Sequence, residues 1–185
     1  MPGVSANMVR WWFTTYLQTT EHYKSWHPTA HVWMDWENKT PGAIIGASHL
    51  VHEYIGKDLL KLRIQFVDPT EFFDYNPNDE NAFVICARVG ELETPINTGK
   101  MCHIVVNTPT GAEMRSGFWL GHIATREGNE TIPSLIGWMG NTLFVRYVGV
   151  SDTMAHDLMV HAQEEMSTLA KLLPTIYPQN VLVRP

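Results

Sequence analysis

His161 and Glu165 stand four residues apart in a segment whose apolar residues Met154, Leu158, Ala162, Leu169, Leu172 and Leu173 recur with the period of a helix. On a helical wheel both lie within about 80° of the centre of that stripe. They face the apolar side, whereas His156, Gln163, Glu164 and Lys171 fall on the polar one. An i, i+4 His/Glu pair carries its heads close enough to share a divalent ion. A carboxylate on a buried face needs a cation, a hydrogen-bond network or a proton. The plainer reading is a hydrogen-bonded His–Glu pair in the core. A second pair is available. Along the alternating run from Ser48 to Ile55, His49, Val51, Glu53 and Ile55 share one face and Leu50, His52 and Tyr54 the other. Glu53 thus alternates with apolar residues, and its plainer role is a cross-strand salt bridge to Lys61 or Arg63. His31 opens an apolar stretch after an aromatic cluster. Together His31, Glu53, His161 and Glu165 make a two-His, two-carboxylate set suited to Zn²⁺, or to Fe²⁺ or Mn²⁺.

The elements that must position these residues are legible in outline. Ser5 can cap a helix through Met8, Val9, Trp12, Phe13, Tyr16 and Leu17, fading around Thr19 to Tyr23. Trp26-His27-Pro28 stops helical continuation, because proline disfavours the helical region at the residue before it. Strands are expected at Ser48 to Ile55, Leu62 to Val67, Phe83 to Val89, Met101 to Asn107, Glu113 to Leu120 and Thr142 to Val148, with turn chemistry such as Thr108-Pro109-Thr110-Gly111 between them. Few helical segments intervene, so the sheet should be antiparallel. The last helix starts at Ser151 or Asp152, runs to about Leu173 and stops at Pro174. The expected layout is α+β: a curved antiparallel sheet wrapped around a long C-terminal helix, with a cavity between.

A chain of 185 residues with 44% apolar content has the length and core of one domain, here taken as a single catalytic domain over 1–185. With 13 Lys and Arg against 19 Asp and Glu, the net charge is −6 and there is no basic run, which excludes nucleic acid as a partner. The longest stretch without a charged side chain, Thr131 to Val145, is broken by Pro133, Gly137 and Gly140 and too short to span a bilayer. No basic-then-apolar signal pattern opens the sequence. Cys86 and Cys102 sit in apolar runs and are read as reduced core thiols of a cytoplasmic protein. Eight of the twenty aromatic residues lie within the first 36 positions. Trp11, Trp12, Trp26 and Trp33 among them suit the wall of a pocket for a flat ligand, or else a Trp-rich core corner.

Met1-Pro-Gly-Val with Met8-Val-Arg-Trp-Trp-Phe, then Tyr23-Lys-Ser-Trp-His-Pro-Thr-Ala-His31, resembles the 2,4-diacetylphloroglucinol hydrolase and phloretin hydrolase family. So do His49-Leu-Val-His-Glu-Tyr-Ile-Gly, Arg63-Ile-Gln-Phe-Val-Asp-Pro, Glu113-Met-Arg-Ser-Gly-Phe-Trp-Leu-Gly and His161-Ala-Gln-Glu-Glu-Met with Leu172-Leu-Pro, in order along nearly the whole chain. The resemblance implies a Bet v 1-like helix-grip fold. It also implies metal-dependent hydrolysis of a carbon–carbon bond between an acyl group and a polyphenol or polyketide-type ring. By motif the metal ligands fall on His31, Glu53, His161 and Glu165, with His27 the rival to His31. A catalytic tyrosine and histidine fall on Tyr23 and His103; His103 shares a strand face with Met101 and Val105, where a satisfied core histidine is the plainer reading. Two departures follow. The long N-terminal extension common in the family does not precede this sequence, which bears on pocket closure and on the homodimer the family suggests. Phe118 stands where a second substrate-facing tyrosine is expected, so the pocket loses a phenolic donor. The expected partner is a small aromatic or polyketide substrate. A non-hydrolytic isomerase or cyclase using the same cavity, or a ligand carrier, is the alternative.

Overall fold

The computed structural model describes residues 1–77 and 79–178. Ser5 accepts a hydrogen bond from the Met8 N–H and opens α1 (Ala6–Trp11), which widens into one π turn over Trp12–Tyr16 rather than fading slowly. Thr19 then caps α2 (Thr20–Trp26), which ends at His27, before the proline. Seven strands follow: β1 (His31–Glu37), β2 (Ser48–Ile55), β3 (Asp58–Val67), β4 (Ala82–Glu91), β5 (Ile96–Thr108), β6 (Gly111–Glu127) and β7 (Glu130–Ile132). Each pairs antiparallel with its neighbour in sequence, giving one meander ordered β1 to β7. Register shifts in β1, in β4 and in β5 bend the strands. Two short helices, α3 (Leu135–Gly140) and α4 (Leu143–Gly149), lead into α5 (Asp152–Ile176), capped by Ser151.

The α+β layout is thus as expected, with three corrections. Thr142 to Val148 is not a strand: Leu143–Gly149 is helical, with the Arg146 N–H bonded to the Thr142 carbonyl. A short, largely apolar run has no period that separates strand from helix. Pro174 does not stop α5, which continues to Ile176; a proline in the last turn forfeits only one helical bond. Cys86 and Cys102 are not free thiols. They stand directly opposite each other on β4 and β5, Cα atoms 4.0 Å apart, and are joined as a disulfide.

The main core lies between the inner sheet face and the helices, where Trp12, Leu17, Tyr23, Leu169 and Leu173 are fully buried. A smaller cluster on the outer face packs Val67, Val84 and the two cysteines under Phe72 and Phe73. Among the described residues no helix is long and apolar enough to cross a membrane.

Candidate metal centre

The pairing of β1 with β2 sets His31 directly opposite Glu53. The burial of β2 alternates as its sequence does, with His49, Val51, Glu53 and Ile55 turned inward. Gly56, in the turn after β2 at φ 61°, lets α5 come down on this edge, because a Cβ there would collide with Asp157. One and two turns beyond Asp157, His161 and Glu165 face the pair on β1 and β2. His31 Nε2 lies 3.5 Å from a Glu165 carboxylate oxygen and 3.8 Å from one of Glu53. His161 Nε2 lies 3.8 Å from Glu165 and 4.0 Å from Glu53. His31, Glu53 and His161 offer ligand atoms that all fall within 4.8 Å of one another, and all three residues are buried.

Tyr23 stacks on the His31 ring, centroids 3.6 Å apart, and its hydroxyl donates to Glu53. The Tyr23 carbonyl, 2.8 Å from His31 Nδ1, can only accept, so Nδ1 carries the proton. In the neutral ring Nε2 is then a bare lone pair aimed at the two carboxylates. It is buried and makes no hydrogen bond. An imidazole held this way is the arrangement that presents a histidine to a metal.

Burial sets the charge states. It pushes Glu165 up to about 8, with His161 opposing and Glu53 adding to the rise, and it raises Glu53 against His31 and Tyr23. Burial also lowers His31 to about 4, against Glu53 and the Tyr23 carbonyl, and lowers His161. Four groups in one pocket are each driven towards their uncharged forms, which is the condition a cation reverses.

The rival histidine lies outside this group. His27 Nε2 is 3.2 Å from the exposed Glu164 and its ring stacks on that of His161, centroids 5.1 Å apart. Neither Lys61 nor Arg63 reaches Glu53: Lys61 pairs with Glu93 and Arg63 with Glu37.

The cluster lies at a cavity of about 150 Å³, which Tyr23, Trp26, His103 and Phe118 also line. His103 is buried on β5, its Nδ1 2.7 Å from Ser116 Oγ, and burial lowers it to about 4. Trp26 donates its indole N–H to the Glu165 carbonyl, which ties α2 to α5 beside the cluster. Phe118 and Ala162 line both this cavity and an open groove between β6 and α5.

Three tryptophans expected at the pocket are elsewhere. Trp12 is buried among Tyr16 and Trp26, Trp11 packs on Tyr16 and Tyr177, and Trp33 lies against His52 on the other sheet face. The helical period marks an apolar stripe without saying what fills the space opposite it. Phe13 and His49 line the cavity instead. For His49 the signal was present, since it shares a strand face with Glu53.

Fold and site together define an α+β cavity protein with a buried two-His, two-Glu cluster in the cavity wall. Residues 1–178 match the DAPG hydrolase PhiG domain, and the chain belongs to that family. It is 26% identical over 95% of its length to 2,4-diacetylphloroglucinol hydrolase of Pseudomonas protegens, covering 61% of that protein. To phloretin hydrolase of Eubacterium ramulus it is 25% identical over 97% of its length, covering 65% of that protein. The chain thus spans less than two thirds of the curated relatives it matches.

Proposed function

We propose that this chain is a metal-dependent hydrolase cleaving the carbon–carbon bond between an acyl group and a phenolic or polyketide-type ring, in a single Bet v 1-like catalytic domain. The observation that carries the reading is the buried, unbonded His31 Nε2 facing two carboxylates and a second histidine on a cavity wall. A divalent cation fits this donor set: it would neutralise two buried carboxylates and give that lone pair its partner. His31, Glu53, His161 and Glu165 would hold it, and Zn²⁺, Fe²⁺ and Mn²⁺ all accept such ligands. When bound, the ion supplies Lewis acidity that polarises an acyl carbonyl and acidifies water. The names of the two relatives support the phenolic substrate class, and a cavity of about 150 Å³ holds one aromatic ring.

The chain's own residues do the rest. Trp26 and Phe118 provide apolar contact for the ring. The Tyr23 hydroxyl fixes the Glu53 carboxylate and stands at the cavity wall, in reach of a phenol oxygen. His103, held uncharged by burial and oriented by Ser116, exchanges a proton with the ring side of the substrate. Cleavage places a hydroxyl on the acyl carbon and a proton on the ring carbon. The ring leaves most readily once it has taken its keto form, so a residue that steadies the phenol oxygen assists.

Metal analysis of protein purified with neither added metal nor chelator should find close to one divalent ion per chain. A phenolic ketone should then give an acid and a deacylated ring whose masses together equal substrate plus water. A product of unchanged mass points instead to the isomerase, and metal-free protein defeats the reading altogether.

Phe118 defines what this pocket accepts. Phe118→Tyr adds a phenol donor beside His103, whose ring lies 6.1 Å away. One new neutral hydrogen bond contributes about 0.5–1.5 kcal/mol, so kcat/KM should rise by up to about tenfold for a ring with a hydroxyl at that position. Rings without it should gain nothing. Equal effects on both substrates would remove Phe118 from the ring site.

A further inference from the structure

On the face of β6 that carries Ala112, Met114, Phe118 and Leu120, Ser116 is the one polar side chain. The strand register sets it directly opposite His103, between the apolar pairs Met101–Phe118 and Val105–Met114. The two residues have different surroundings. His103 is 1% exposed and lines the cavity, whereas Ser116 is exposed and lines the open groove between β6 and α5, not the cavity. The 2.7 Å bond between Nδ1 and Oγ therefore runs from an enclosed group to one in contact with solvent. Among the described residues Ser116 Oγ bonds nothing else, so its remaining hydrogen-bonding capacity is left for water in the groove.

Holding a buried imidazole in place does not require such a partner. His31 Nδ1 is held by the Tyr23 carbonyl, which cannot donate and so fixes one tautomer. A hydroxyl donates and accepts. It suits either tautomer of His103 and can pass a proton between the ring and water.

We propose that Ser116 is a proton conduit, carrying protons between water in the groove and the His103 ring. Burial keeps that ring neutral, and a neutral imidazole has a single proton to give, which must be replaced at every turnover. In the cleavage described above, Nε2 gives its proton to the ring carbon as Nδ1 takes the hydroxyl proton of Ser116, and Ser116 takes one from groove water. The carbon–carbon bond breaks and a carbon–hydrogen bond forms. The hydroxide left in the groove cancels the proton given up by the water that attacks the acyl carbon. Once product has left, the reverse shift, with water in the emptied cavity, returns a proton to Nε2. This use in catalysis rests on the hydrolase reading; the conduit itself does not.

Two substitutions at this exposed position separate passing a proton from holding the ring. Ser116→Thr keeps the hydroxyl, and Ser116→Asn keeps an acceptor for Nδ1 without a hydroxyl proton to relay. Circular dichroism should show both folded as the parent is. In NMR of the substrate-free protein, the His103 ring N–H should exchange with water equally fast in the parent and in Ser116→Thr. In Ser116→Asn it should exchange about 10²-fold more slowly, the lower end of what a positioned proton-transfer partner contributes. On a phenolic ketone, kcat of Ser116→Asn should fall by a similar factor with KM and metal content unchanged, the mark of an interaction used only in the transition state, and Ser116→Thr should restore it. Equal exchange in all three proteins overturns the conduit, as does a threonine variant as slow as the asparagine one. Undiminished kcat in Ser116→Asn overturns its catalytic use. A parent that exchanges as expected but hydrolyses nothing supports the conduit and removes the hydrolase reading alone.

Discussion

Glu165→Gln should empty the metal site and abolish turnover together. The substitution keeps the shape of the side chain and leaves the Glu165 carbonyl that holds the Trp26 indole, so α5 should stay in place. What it removes is the negative oxygen 3.5 Å from His31 and 3.8 Å from His161. Even residues that only orient metal ligands cost about 10–100-fold in affinity when lost, so a charged ligand should cost at least the upper end of that range. Stability of the metal-free protein should move the other way. Glu165 has its folded value raised from 4.5 to about 8. A carboxyl raised in this way stabilises the fold fully below its unfolded value, and that contribution is lost as pH rises through about 8. Metal-free parent should therefore weaken between pH 4.5 and 8 relative to the Gln variant, whose amide does not titrate. Metal analysis and chemical denaturation of both chelated proteins across that range would check the pair of effects. Full metal content in the variant would remove Glu165 from the ligand set.

Three of the four residues of the cluster were legible because each announces itself locally. His161 and Glu165 sit on the apolar stripe of one helix, and Glu53 alternates with Val51 and Ile55, so a titratable group on an apolar face is visible without any tertiary information. That His31 meets them is not local. It depends on the β1–β2 register and on Gly56 admitting α5, so His31 entered the set by its residue type and by the family motifs rather than by any local pattern. The same limit explains the misses. Cys86 and Cys102 meet because β4 and β5 pair in one register, and nothing in either strand alone reports its partner. Trp11 and Trp12 carry the right period, but a wheel cannot say whether the space opposite a stripe is packed or hollow. Thr142 to Val148 misled for another reason: its side chains are apolar but not buried, so the link between hydrophobic pattern and burial that underlies the reading fails there.

His103→Asn should separate chemistry from metal binding. Asparagine can keep the bond to Ser116 that Nδ1 makes at 2.7 Å, so the strand pair β5–β6 should close as before. It cannot carry a proton. Loss of a positioned acid–base group costs about 10²–10⁴ in rate, and kcat should fall by that factor while metal content stays at the parent level, because His103 belongs to β5 and not to the His31–Glu53–His161 group. Acid stability gives a second readout. His103 has its folded value lowered from 6.5 to about 4 by burial. A depressed imidazole contributes stability above its unfolded value, and that contribution is lost as pH falls through about 4. The Asn variant should accordingly resist acid better than the parent between pH 6.5 and 4. A variant with normal turnover would make His103 a packed core histidine, and one that lost its metal would join it to the cluster; a slow, fully metallated, more acid-resistant protein is the result expected of a proton carrier at the ring side of the cavity.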